Sequence, residues 1–208
     1  MKLKELRNIP FSLSMLDMIY PAHNALAAKA ARIEKSSEII RLRRDLYVVN
    51  PDLSGKNINE FLVANHIYGP SYVSCQSALR YYGLIPERVY EITSMTTRLT
   101  KTYTNQIGRF YYVHCSDPYY KIGIRNQKED GVSFCIASPE KALCDLMIFT
   151  PHLNLRYRKE IKNYLEYDIR LEMSELKNFD LEILRECRDI GRKKTMLSQL
   201  IEFIERNE

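Results

Sequence analysis

The sequence predicts an α+β fold, on two observations. Within residues 24–50 the apolar period changes from about 3.6 to 2, and between residues 89 and 136 short β-type runs stand between helical stretches. A third observation divides the chain. Asn50-Pro51-Asp52-Leu53-Ser54-Gly55-Lys56 is dense in turn residues, so residues 1–52 and 57–208 are expected to form two units.

In the first unit, Ser12 is placed to cap a helix with Leu13, Leu16 and Tyr20 on one side, ended by Pro21. In the next helix Leu26, Ala30 and Ile33 fall at i, i+4 and i+7 and form an apolar stripe. Arg32 and Lys35 project from the far side, Ala28 and Ala31 share that outer arc, and Lys29 sits at the flank. Beyond Ser36-Ser37, Ile40 and Leu42 alternate with Arg41 and Arg43, as on a half-buried strand. Arg44-Asp45 is the expected tight turn, and the Leu46-Tyr47-Val48-Val49 run returns as the partner strand. A helix bearing Arg32 and Lys35, followed by a hairpin with Arg43 and Arg44 at its tip, has the layout of a winged helix-turn-helix. In that motif the helix enters the major groove and the wing meets phosphates. Lys29, Arg32, Lys35, Arg41, Arg43 and Arg44 are therefore the candidate DNA-binding residues.

In the second unit, Asn57 or Asn59 can cap a helix containing Phe61, Leu62, Asn65 and His66, which Gly69-Pro70-Ser71 ends. Tyr72, Cys75, Ala78, Leu79 and Tyr82 make the stripe of a second helix, with Gly83 as its C-cap. The β-type runs 89–93, 110–115, 119–124 and 132–136 predict an antiparallel sheet with flanking helices. Ser138-Pro139-Glu140 starts a further helix with Ala142, Leu143, Leu146 and Met147 facing inward. Met196, Leu197, Leu200, Ile201 and Ile204 form a closing amphipathic helix.

Charge supports a polyanionic partner for the N-terminal unit. The formal net charge is +5, and residues 1–50 hold four Lys and five Arg against two Asp and three Glu, so +4 of it lies in the first quarter. Cys75, Cys115, Cys135, Cys144 and Cys187 contain no C-x-x-C pair and read as buried free thiols. His23, His66, His114 and His152 are too scattered for a metal motif, so no cofactor or metal is expected. Without a signal peptide or an apolar run of about 20 residues, a cytoplasmic protein without membrane contact is expected.

Three segments together resemble the AbiEi antitoxins of abortive-infection, type IV toxin–antitoxin systems, over about residues 10–150. They are Arg41-Leu42-Arg43-Arg44-Asp45-Leu46-Tyr47-Val48, Tyr72-Val73-Ser74-Cys75-Gln76-Ser77-Ala78-Leu79-Arg80-Tyr81-Tyr82-Gly83-Leu84, and Ile136-Ala137-Ser138-Pro139-Glu140-Lys141-Ala142-Leu143-Cys144-Asp145-Leu146. The resemblance implies an N-terminal winged helix that represses the protein's own promoter. It also implies a C-terminal domain that opposes a nucleotidyltransferase-fold toxin, and it allows a homodimer on DNA. The family usually has glycine where this chain has Asp45.

Two other functions compete. A winged-helix regulator would use residues 57–208 to sense a ligand, with Tyr111, Tyr112, Tyr119 and Tyr120 as a potential pocket lining, or to dimerise. A metal-dependent nuclease would use Glu140, Lys141 and Asp145, although Lys141 and Asp145 at i, i+4 are more simply read as a surface ion pair. Arg188, Arg192, Lys193 and Lys194 are either a second nucleic-acid contact or a solvated helix end. Gly55-Lys56 lacks the earlier glycine of a phosphate-binding loop, and no Gly-Ser dipeptide starts a nucleotidyltransferase motif. No catalytic residue is assigned, and the expected activity is non-catalytic.

Overall fold

In the computed structural model the described residues are 2–21 and 25–206, and they form an α+β protein. A 3-10 turn at Leu3–Leu6 leads to strand β1 (Phe11–Ser12), helices α1 (Leu13–Ile19) and α2 (Leu26–Lys35), and the hairpin β2 (Ile39–Arg43) and β3 (Leu46–Val49). The strands make a small sheet in the order β1-β3-β2, with Phe11 opposite Tyr47 and Arg41 opposite Tyr47 on the other side. Strand β1 has no sequence signal, because two residues are too short for any period. Ser12 flanks α1, but its hydroxyl meets that of Ser14 at 2.7 Å rather than a backbone N–H.

Strand β3 is buried on both faces, which explains why its four residues are all apolar. Tyr47 and Val49 join Phe11, Leu16, Ala30 and Ile33 in an N-terminal core, whereas Leu46 and Val48, with Leu42 of β2, belong to the core of the rest of the chain. On β2 the buried residues are Ile39 and Leu42, with Ile40 only partly covered. The register shift between Arg41 and Arg43 breaks strict alternation there.

After α3 (Pro51–Ser54), helix α4 (Glu60–Ile67) is capped by Asn59, whose side-chain oxygen accepts from Leu62 N at 2.9 Å. Strand β4 (Ser71–Val73) and helix α5 (Cys75–Tyr81) follow. Tyr72 is thus in a strand, not on the expected helix; the helical stripe begins at Cys75. Gly83, at φ 73°, ends α5 in a Schellman motif, with Leu84 N donating to Leu79 O at 2.9 Å and Gly83 N to Arg80 O at 3.0 Å.

A six-stranded sheet is built from β4, β5 (Glu91–Thr96), β6 (Lys101–Thr104), β7 (Arg109–His114), β8 (Ile124–Glu129) and β9 (Val132–Ala137), in the order β6-β7-β5-β4-β9-β8. It is mixed rather than antiparallel, since β5 runs parallel to β7 and β4 parallel to β9. Strand β7 inserts between β5 and β6, and β4 pairs with two strands distant in sequence, pairings that local pattern does not encode. Of residues 119–124 only Ile124, which opens β8, is in a strand. Helix α6 (Asp117–Tyr120) occupies part of that stretch, started by Pro118.

The C-terminal layer comprises α7 (Pro139–Phe149), α8 (Arg158–Asn163), a π-helical turn at Tyr164–Asp168, a 3-10 helix at Met173–Asn178, α9 (Leu181–Ile190) and α10 (Lys194–Glu205). Ser138 caps α7 by accepting from Lys141 N at 3.3 Å. Helix α7 is central, packed against both α5 and α9, and buries polar as well as apolar positions.

Lys141 and Asp145 are therefore not a surface pair. Both side chains are fully buried, with Lys141 Nζ 3.1 Å from Asp145 Oδ1. Asp145 Oδ1 accepts from the Tyr119 hydroxyl at 2.8 Å, and Oδ2 accepts from the hydroxyls of Tyr72 at 3.1 Å and Ser74 at 2.6 Å. Lys141 Nζ also donates to Tyr119 O at 3.0 Å and lies 3.0 Å from the centre of the Tyr119 ring. Four donors saturate the carboxylate, so the charge is compensated on the spot. Burial, then proximity to Asp145, raises the phenol pKa values of Tyr72 and Tyr119, so both remain hydroxyl donors. Gly123, at φ 58°, allows the backbone before β8 to pass over this point; a Cβ there would sit 2.9 Å from Lys141 Cβ.

Truncating Lys141 to Ala leaves Asp145 as an uncompensated buried charge and is expected to lower unfolding free energy by about 3–5 kcal/mol in urea titration. A reduction below about 1 kcal/mol would contradict this role.

Candidate functional site

The six basic residues assigned from sequence stand on α2 and the β2–β3 hairpin. Asn24, where the segment begins, and His23 lie outside the described residues. Ala30 and Ile33 bury the inner face of α2, while Ala27, Ala28, Ala31, Arg32 and Lys35 are exposed. The outer arc is thus a low, small-residue surface edged by two cations at the helix's C-terminal end.

Lys29 is half-buried, its ammonium 4.3 Å from the centre of the Tyr20 ring, so it braces α2 against the end of α1. Arg41 is also engaged. It forms a 2.5 Å ion pair with Glu34 of α2, donates through Nε to the same oxygen at 3.0 Å, and stacks 5.6 Å from the Tyr47 ring centre. The Glu34 carboxylate raises the Arg41 pKa. This pair ties the helix to the hairpin and consumes part of the charge attributed to Arg41. The other four of the six cations, Arg32, Lys35, Arg43 and Arg44, are exposed.

The hairpin tip is the most exposed of these positions. The Arg44 side chain is 95% exposed and 3.6 Å from Asp45, and Arg43 donates to Arg44 O at 3.2 Å. Asp45 adopts φ 60°, the left-handed conformation that the turn requires and that glycine adopts without strain. The turn geometry is accordingly kept without a glycine. The hairpin is held near its tip from the opposite side, where Asn105 Nδ2 donates to Leu42 O at 2.9 Å. This contact, between residues 63 positions apart, has no sequence signal.

The second basic segment resolves differently. Lys193 Nζ donates to Met147 O at 3.0 Å and Thr150 O at 2.8 Å, so it caps the C-terminal end of α7, and burial lowers its pKa. Lys194 donates to Asp189 O at 2.8 Å at the end of α9, and Arg188 pairs with Asp189 at 2.7 Å. Three of the four cations in that run are bound to their own protein. The tyrosines divide likewise: Tyr112 and Tyr119 are core residues, and Tyr111 and Tyr120 are only partly covered. Tyr112 donates to Ala64 O at 2.6 Å, as a packed tyrosine does.

Cys75, Cys115, Cys144 and Cys187 are buried free thiols, while Cys135 is exposed because it falls on the outward position of β9. Burial pushes the Cys115 thiol up to about 12. Cys75, the first residue of α5 and at φ 52°, is raised further by burial and by Asp145, which leaves it a poor nucleophile. Among the described residues no group of three or more His, Cys, Asp or Glu side chains is placed to hold a metal, and no helix is long and apolar enough to cross a membrane. Glu140 is buried as well, accepting from Asp180 N at 3.0 Å and lying 3.8 Å from Arg125. The Glu140, Lys141 and Asp145 trio therefore organises helix packing and faces no solvent.

Comparison of the sequence with protein-family models and with characterised proteins finds no match.

Asp45→Gly is expected to leave thermal stability within about 0.5 kcal/mol of the original. Asp45→Val is expected to cost about 1–2 kcal/mol, because a β-branched side chain is strained at this φ. Equal melting temperatures for the two variants would argue against a strained turn.

Proposed function

We propose that the chain is an AbiEi-type antitoxin that binds promoter DNA through an N-terminal winged helix and represses its own transcription. The reading is supported above all by one arrangement: a helix with a bare alanine surface and exposed Arg32 and Lys35, tied through Arg41 and Glu34 to a hairpin with exposed Arg43 and Arg44. Short side chains on α2 allow close approach to a groove floor, and the two arginines at the tip reach phosphates beside it. Lys29 and Arg41 set the angle between helix and hairpin and contribute charge in second place. Residues 57–208 hold the hairpin through Asn105 and carry the toxin-opposing activity, toward a nucleotidyltransferase-fold toxin, without catalysis.

The second reading is a winged-helix regulator whose larger unit senses a ligand. A cationic cavity in the C-terminal helical layer, described below, favours it.

Arg43→Ala with Arg44→Ala should weaken binding to the chain's own upstream DNA and reduce the slope of log K against log salt by about 2, near 0.9 for each phosphate that is no longer neutralised. Arg41→Ala should reduce that slope less, because its guanidinium is already paired. Gel-shift titrations over several salt concentrations measure both, and an unchanged slope in the double variant would remove the hairpin from the interface.

Co-expression separates antitoxin from regulator. With a toxic nucleotidyltransferase encoded next to this chain, the full-length Arg43→Ala, Arg44→Ala variant should still restore growth while failing to repress a promoter reporter. Failure of the unmodified chain to restore growth would favour the regulator.

A further inference from the structure

Between α8, the 3-10 helix Met173–Asn178 and the end of α10 lies a cavity of about 600 Å³. Arg158, Lys159 and Lys162 reach it from α8 and Lys177 from the 3-10 helix, while Leu176 and Phe203 supply apolar lining. No carboxylate lines it among the described residues. Among those residues, the one acid within ion-pair range of these four cations is Glu166, whose Oε2 is buried and lies 4.0 Å from Nζ of the exposed Lys162. Arg158 is held over the Phe203 ring, 5.7 Å from its centre.

Four like charges around one cavity repel each other, and only Arg158, over Phe203, and Lys162, near Glu166, have a partner that offsets this. The volume falls in the range of small-molecule sites, roughly 300–1,000 Å³. A planar guanidinium and three ammonium groups match the oxygens of a phosphate, and the apolar lining matches a base or an alkyl chain. The π-helical turn at Tyr164–Asp168 directly follows α8, and such turns recur beside functional sites. It sends Tyr164 and Leu165 into the core while Arg158, Lys159 and Lys162 keep to the cavity side.

We propose that this cavity binds a small organic phosphate, its phosphate held by Arg158, Lys159, Lys162 and Lys177 and its apolar body resting on Leu176 and Phe203. A nucleotide and an alkyl phosphate share that chemistry. This site is independent of the DNA-binding face and stands whether or not the chain is an antitoxin.

The test is calorimetric titration of the full chain with ATP, with dodecyl phosphate and with inorganic phosphate. One of the two organic phosphates should bind one-to-one and at least tenfold more tightly than inorganic phosphate, and which one does so identifies the apolar body. Lys159→Ala with Lys177→Ala, both at exposed positions, should weaken that binding at least tenfold without lowering the melting temperature. Arg43→Ala with Arg44→Ala should leave it unchanged. The proposal is overturned if neither organic phosphate binds better than inorganic phosphate at about 1 mM, if the lysine variant binds as tightly as the original, or if the arginine variant abolishes binding.

Discussion

The ion pair between Lys141 and Asp145 is the constraint around which the larger part of the molecule is arranged. Two charges removed from water are tolerated only if every lone pair and proton is met, and here the partners come from three other places in the chain: Tyr72 on β4, Ser74 at the start of α5, and Tyr119 on α6. Satisfying Asp145 therefore brings the central strand, two helices and the turn before β8 to one point. A change to any one of these side chains leaves a buried polar partner unmet, so α7 is constrained on several sides at once.

From that centre the order propagates outward through the sheet to the hairpin. Strand β4 lies between β5 and β9, and the β6–β7 turn at the sheet's far edge supplies Asn105, which holds Leu42 O. Leu42, Leu46 and Val48 continue the large core into the hairpin, while Tyr47 and Val49 on the opposite face complete the small N-terminal core. The hairpin is thus a shared wall between two cores. A core as small as the N-terminal one gains from being closed by a strand that the larger core also stabilises, and the exposed tip inherits a fixed direction.

Much of the framework is legible locally. The stripe of Ala30 and Ile33, the caps at Asn59, Ser138 and Gly83, and the closing helix through Met196, Leu200 and Ile204 each depend on residues within one or two turns of one another, which spacing reports faithfully. The turn at Asp45 is legible for the same reason, since tolerance of positive φ belongs to the residue itself. Local pattern misleads where distant chain segments compete. Tyr72 fits a helical stripe by spacing but pairs as a strand, because β5 and β9 flank it. Lys193 and Lys194 look like a solvated or nucleic-acid-facing run until the ends of α7 and α9 arrive beside them.

The amino-acid sequence by itself determined the α+β class, the positions of α1, α2, α4, α5, α7 and α10 though not of α8 and α9, the two-strand hairpin and the basic character of the N-terminal quarter, because periodicity, capping and charge are properties of neighbouring residues. Only the tertiary structure decided which charges are available. It buried Lys141 and Asp145, engaged Arg41 with Glu34 and Lys193 with α7, and gathered Arg158, Lys159, Lys162 and Lys177 around one cavity. A charge is free or satisfied according to what stands within about 4 Å of it, and for most of these side chains that neighbour comes from elsewhere in the chain.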